Sequence, residues 1–132
     1  MTSELFWLTL TALFTALMWV PYILDRIAVR GLMRAMGNPL PDDAPQSEWA
    51  KRAMLAHSNA IENLVVFAAL VLVVHATGTA TPLTATMSAV FFFARFAHFF
   101  IYVAGIPMLR TLSFAICWIA QMVLALTALG IL

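Results

Sequence analysis

Two stretches of this sequence carry polar and ionisable residues at helical spacing inside apolar surroundings. In the first, Arg52, Asn59 and Glu62 are separated by seven and three residues. Arg52 and Asn59 therefore share one stripe of a helix, and Glu62 lies roughly 80° to one side. Ionisable groups in an apolar helix are costly, so these three residues are candidates for a functional site.

The second stretch lies in an aromatic-rich helix. Arg95, His98 and Tyr102 are spaced three and four residues apart and form a single polar stripe. Arg110 follows eight residues after Tyr102, across a turn at Pro107. This second stripe and Arg110 extend the candidate site to the next predicted helix.

Positive charge exceeds negative charge among these candidates. Arg30, Arg52, Arg95 and Arg110 outnumber Glu62, the single acid at this depth. A Glu62–Arg95 pair would join two helices but would leave the other arginines unmatched. A positively charged pocket suits an anionic ligand with more than one carboxylate.

The histidines and the one cysteine do not predict a metal site. No two histidines lie four residues apart, and Cys117 is remote from all three of them. A haem held by His57 and His98 is disfavoured, since His57 is more typical of an interfacial residue. With a single cysteine, no intrachain disulfide forms.

The composition restricts what kind of protein can carry such a site. Of the 132 residues, 64% are hydrophobic and 10% are charged, and the mean hydropathy is +0.96. Soluble domains carry about a quarter charged residues, and disordered chains are rich in charge. Both classes are excluded, and a net charge of +1 gives no reason to expect nucleic acid binding. The sequence therefore predicts an integral membrane protein.

The apolar runs predict one all-α domain over residues 1–132, a transmembrane four-helix bundle. The helices are predicted at about 4–36, 46–75, 82–104 and 109–131. Basic residues cluster in the first loop region, are absent from the second, and recur at Arg110. The positive-inside rule then places loops 1 and 3 in the cytoplasm. A compact multi-pass chain of this kind suggests a bacterial inner membrane.

The polar stretches resemble those of the MAPEG family, the membrane-associated proteins in eicosanoid and glutathione metabolism. Residues 52–63 match its arginine followed by Asn-x-x-Glu, residues 94–102 match its third-helix stretch, and residues 106–111 match its turn into helix four. The resemblance implies homotrimers of four-helix subunits. It also implies that glutathione, as co-substrate, binds between subunits near the cytosolic face.

The resemblance further implies roles for individual residues around glutathione. Asn59 and Glu62 would hold its backbone and amino group, and His98 and Tyr102 would line its pocket. Arg52 would replace in part the arginines that bind glutathione carboxylates in better-known members, where this chain has Leu55 and Ser58.

The remaining arginines carry the chemistry that the resemblance implies. Arg110 would stabilise the glutathione thiolate, the nucleophilic form of the thiol. Arg95 would order the site, and Arg30 would reach the ligand from the adjacent subunit. The thiolate would then attack a lipophilic electrophile or lipid dissolved in the membrane.

Three functions follow from this reading. The first is a glutathione-dependent membrane transferase or peroxidase of the detoxifying type. The second is a non-catalytic protein of the same fold that binds a lipid or an acidic small molecule. The third is a small four-helix transporter coupled through Glu62. The run from Leu5 to Leu24 contains no acid, which counts against a transporter.

Overall fold

The computed structural model describes residues 1–132, and all of its regular structure is helical. Its helices are α1 (Ser3–Leu17), α2 (Trp19–Arg30), α3 (Leu32–Met36), α4 (Glu48–Thr77), α5 (Pro82–Ala104) and α6 (Pro107–Ala128). Four stretches are long and apolar enough to cross a membrane: Ser3–Arg30, Glu48–Thr77, Pro82–Ala104 and Pro107–Ala128. The predicted all-α membrane bundle of four helices is confirmed.

The first predicted helix, 4–36, is divided in the structure. Gly31 has φ +81° and ψ 156°, a conformation that ends α2 and that residues with a side chain rarely adopt. Pro21 falls in the first turn of α2, where a missing N–H breaks no helical hydrogen bond. The short helix α3 is therefore a separate segment after the first span, and it carries Arg34 to the start of loop 1 (residues 37–47).

Two other helix starts differ from the prediction for local reasons. Helix α4 begins at Glu48, because the two residues before it bind the buried Asp25 carboxylate instead of continuing the helix. This carboxylate accepts hydrogen bonds from the Gln46 amide and from the Ser47 hydroxyl and N–H. Ser47 occupies the N-cap position of α4, but its hydroxyl does not cap the helix. Helix α6 begins at Pro107, since proline suits the first helical turn.

Two buried clusters hold the bundle together. In one, the Phe67 and Phe91 rings stack with their centroids 3.9 Å apart, and Leu124 belongs to the same cluster. In the other, small residues of α4, including Ala53 and Ala60, pack with neighbouring helices. Small side chains allow helix backbones to approach closely, which favours packing in lipid. This second cluster lies towards the end of the bundle that carries loops 1 and 3.

Loop 1 is closed by Asp43, whose carboxylate accepts two hydrogen bonds from Arg34 and one from the Leu40 N–H. The Arg34 hydrogen bonds, then that N–H and the nearby charge of Arg30, lower the pKa of Asp43 from 3.8 to about 2. A lowered folded pKa means that the ionised form stabilises the loop fully above about pH 4. This stabilisation is lost as the pH falls through about 2.

We therefore expect loop 1 of the wild-type protein to resist pepsin at about pH 3 and to be cut as the pH approaches 2. Asp43→Asn removes the charge, so its loop should already be cut at about pH 3. Gel analysis of the fragments measures the rate at which pepsin cleaves each of the two proteins. Equal cleavage of the two proteins at that pH would show that the ionised carboxylate does not hold the loop.

Candidate functional site

A cavity of about 290 Å³ lies among α4, α5 and α6, near the turn that joins the last two helices. Its lining residues are Asn59, His98, Tyr102, Arg110, Thr111 and Phe114. The first four are site residues predicted from the sequence, and the structure brings them together. Thr111 and Phe114 were missed, although Phe114 lies one helical turn after Arg110 and spacing alone could have found it.

Arg110 is held over an aromatic ring. Its guanidinium carbon lies 4.7 Å from the centroid of the Tyr102 ring, a cation–π contact. The Tyr102 ring in turn meets the His98 ring edge-on, with centroids 5.6 Å apart. No acidic side chain forms an ion pair with Arg110. Its N–H groups therefore remain able to bind an anion in the cavity.

Asn59 is held from behind by a buried arginine. Arg95 is only 2% exposed, and its Nη2 donates to the Asn59 Oδ1 at 2.8 Å. The other two nitrogens of this guanidinium find no acceptor among the protein atoms. Arg95 does not line the cavity but fixes a carboxamide that does.

The Glu62–Arg95 pair considered from the sequence is wrong. Glu62 is exposed on α4 and forms no ion pair within the chain. Glu62 lies roughly 60° around α4 from Asn59, and this offset leaves Glu62 exposed while Asn59 meets Arg95. Consequently, the partner of Arg95 is the neutral Asn59, and the Arg95 charge is not neutralised by an acid.

Further polar contacts support Asn59 from within α4 and from α6. The Asn63 amide donates to the Asn59 carbonyl oxygen at 2.9 Å, and the Gln121 amide donates to the Asn63 carbonyl oxygen at 3.2 Å. His98 is buried beside this network, and its Nδ1 has no partner among the protein atoms. The cavity wall formed by α4 and α5 is thus polar.

Two predicted site arginines lie outside this cavity. The Arg52 Nε donates to the Val103 carbonyl oxygen at 2.8 Å. Arg30 lines a separate cleft of about 310 Å³ in loop 1, where it donates to the Ala44 carbonyl oxygen and lies 3.8 Å from the Asp43 carboxylate. Within the chain, neither side chain lines the cavity that holds Arg110.

The remaining histidines are also remote from the cavity. The His57 Nδ1 lies 2.7 Å from the Tyr22 hydroxyl, so it joins the first span to α4, and His75 is exposed at the other end of α4. No group of three His, Cys, Asp or Glu side chains that could hold a metal ion occurs in the structure. The cavity therefore offers a cation, a phenol, an imidazole, a carboxamide and a hydroxyl beside one apolar ring.

Comparison with known proteins identifies the family. The sequence model of the MAPEG family matches residues 5–130 of this chain. Neither the curated proteins nor the solved structures include a match to it. The matched range contains all four spans and every residue that lines the cavity. The chain is an integral multi-pass membrane protein, and it belongs to the MAPEG family.

Proposed function

We propose that this protein is a glutathione-dependent membrane transferase or peroxidase in which Arg110 stabilises the glutathione thiolate. The observation that carries this proposal is the unpaired guanidinium of Arg110, held in the cavity by the Tyr102 ring. A free thiol has a pKa near 8.5, and an adjacent guanidinium favours its ionised form. Family membership supports glutathione as the thiol.

The other cavity residues supply contacts for a peptide-like anion. The Asn59 carboxamide, the Tyr102 hydroxyl and the Thr111 hydroxyl can donate or accept hydrogen bonds. His98 adds an imidazole to the same wall. These neutral groups would orient glutathione, while the cationic Arg110 would act on its sulfur.

Glu62 supports a site shared between subunits. This carboxylate is exposed in the middle of α4, at membrane depth, without a partner in its own chain. A charged group facing lipid is costly, so a neighbouring copy of the chain or the ligand's ammonium group would cover it. We propose a homotrimer with glutathione bound between subunits, and a cytoplasmic location for loops 1 and 3, in a bacterial inner membrane.

The thiolate would act on an apolar partner that the membrane concentrates. With an electrophilic carbon, the sulfur lone pair forms an S–C bond and the leaving group departs with its electron pair. With a lipid hydroperoxide, the thiolate attacks the outer peroxide oxygen, the O–O bond breaks, and the lipid alkoxide leaves and is protonated to the alcohol. A second glutathione thiolate then attacks the sulfur of the resulting glutathione sulfenic acid, which forms glutathione disulfide and expels hydroxide.

Two positions favour a second candidate function, a non-catalytic protein that binds a lipid or an acidic small molecule. Leu55 and Ser58 stand where several better-known relatives carry arginines for the glutathione carboxylates, and both are exposed. Phe114 adds an apolar wall that would accept part of a lipid.

Titration of reduced glutathione into the detergent-purified protein, read at the thiolate absorbance band, tests the proposal. We expect a saturable signal that S-methyl glutathione, which has no ionisable thiol, removes by competition. Absence of a signal at millimolar glutathione, in folded protein, would overturn the transferase assignment. Calorimetric binding of S-methyl glutathione without any thiolate signal from glutathione would instead support a non-catalytic binder.

A further inference from the structure

Arg52 connects α4 to the turn between α5 and α6. Its Nε donates at 2.8 Å to the carbonyl oxygen of Val103, in the last turn of α5. Carbonyl groups in the last turn of a helix have no partner within the helix. Arg52 has no ion pair of its own, and the nearby Glu48 binds Lys51 instead. The hydrogen bond to α5 is therefore its main polar contact.

The same side chain covers the glycine that ends α5. Gly105 has φ +77°, and its N–H donates to the carbonyl oxygens of Ile101 and Tyr102, which closes the helix. A Cβ atom added at Gly105 would lie 3.3 Å from the Arg52 Nε and 3.4 Å from its Cζ. The guanidinium thus packs against a backbone position that has no side chain.

This turn determines how two cavity residues meet. Tyr102 lies three residues before Gly105, and Arg110 lies five residues after it. The Arg110 N–H donates to the Ile106 carbonyl oxygen in the first turn of α6. Any movement of the turn would change the 4.7 Å separation of the Arg110 guanidinium from the Tyr102 ring.

We infer that Arg52 is a positioning residue that holds the α5–α6 turn, so that Arg110 stays over Tyr102 in the cavity. Its effect on thiolate formation rests on the proposed function, whereas its effect on the turn does not. This role replaces the one implied by family resemblance, in which Arg52 binds a carboxylate of the ligand. The positioning role requires a hydrogen-bond donor at the place of Nε, whereas the ligand-binding role requires a positive charge.

Three substitutions separate these requirements. Arg52→Gln places an N–H donor at the same number of bonds from Cα as the arginine Nε but removes the charge. Arg52→Lys keeps the charge but loses the planar group and moves the donor one bond further. Arg52→Met removes both. Lys51→Met, at an exposed neighbour whose side chain hydrogen-bonds to Glu48, is the matched control.

Hydrogen exchange of residues 105–113 tests the turn without glutathione. We expect exchange there to be faster in Arg52→Met on the order of tenfold, and close to wild type in Arg52→Gln and Lys51→Met. The thiolate titration should follow the same order, with about tenfold less thiolate at neutral pH in Arg52→Met. A melting curve for each variant establishes that it is folded.

The outcomes are distinct. If Arg52→Met exchanges like wild type, Arg52 does not hold the turn and the inference fails. If Arg52→Gln weakens glutathione binding as much as Arg52→Met while Arg52→Lys restores it, the charge binds ligand and the inference also fails. If wild type forms no thiolate, the proposed function fails, and the exchange experiment still decides the role of Arg52.

Discussion

Arg110→Met is expected to lower kcat/KM for conjugation of glutathione about 10²–10³-fold at neutral pH, the range found when one stabilising donor is removed. Arg110 is the single cavity residue that carries a fixed positive charge. Without it, the bound thiol would return towards its ordinary pKa near 8.5 and would be mostly protonated at pH 7. Its own contact with Tyr102 is worth about 0.5–1 kcal/mol at an exposed site, so the fold should survive its loss.

A pH series makes this prediction specific. The difference in kcat/KM between wild type and Arg110→Met should become smaller as the pH rises above about 8.5, because the thiol then ionises without assistance. Turnover of a dinitrohalobenzene in detergent micelles, together with the thiolate absorbance, measures both effects. Lys51→Met should behave as wild type throughout. A constant deficit at all pH values would mean that Arg110 binds another part of glutathione rather than acting on its sulfur.

Arg95→Met is expected to weaken glutathione activation while leaving thermal stability unchanged or higher. The Arg95 guanidinium is buried, makes one hydrogen bond to Asn59, and leaves two nitrogens without protein acceptors. Burying an uncompensated charge is costly, and replacing buried ionic groups by apolar ones is often neutral or stabilising by about 1–4 kcal/mol. Methionine fills much of the same space without that cost.

The substitution should instead weaken the binding of glutathione in the cavity. Without Arg95, the Asn59 side chain is free to rotate away from the ligand, so affinity for glutathione should fall about tenfold, as for one lost hydrogen bond to a charged group. Melting temperature and glutathione titration of Arg95→Met and Asn59→Ala provide the comparison. The two variants should share the binding defect. A clear drop in the melting temperature of Arg95→Met would show that the guanidinium stabilises the bundle and would contradict this account.

Hydropathy and helical spacing predicted the bundle and most of the cavity. Uninterrupted apolar runs are sufficient to identify membrane helices, because every backbone polar group in lipid must be paired within a helix. Spacing of three and four residues placed His98 and Tyr102 on one face, and both line the cavity. Gly31 divides the first predicted helix because its φ is positive. The sequence could not predict this conformation, since glycine is also tolerated inside helices.

The sequence alone determined that this chain crosses a membrane four times and that its few polar side chains form stripes on the second and third of the four spans. Only the tertiary structure decided which side chains meet. Helical periodicity specifies the face on which a residue lies, but not how far each helix is rotated or shifted against its neighbours. That rotation brings Arg95 to Asn59 and leaves Glu62 exposed, and the contact of the Arg52 side chain with Val103 and Gly105 keeps Arg52 out of the cavity.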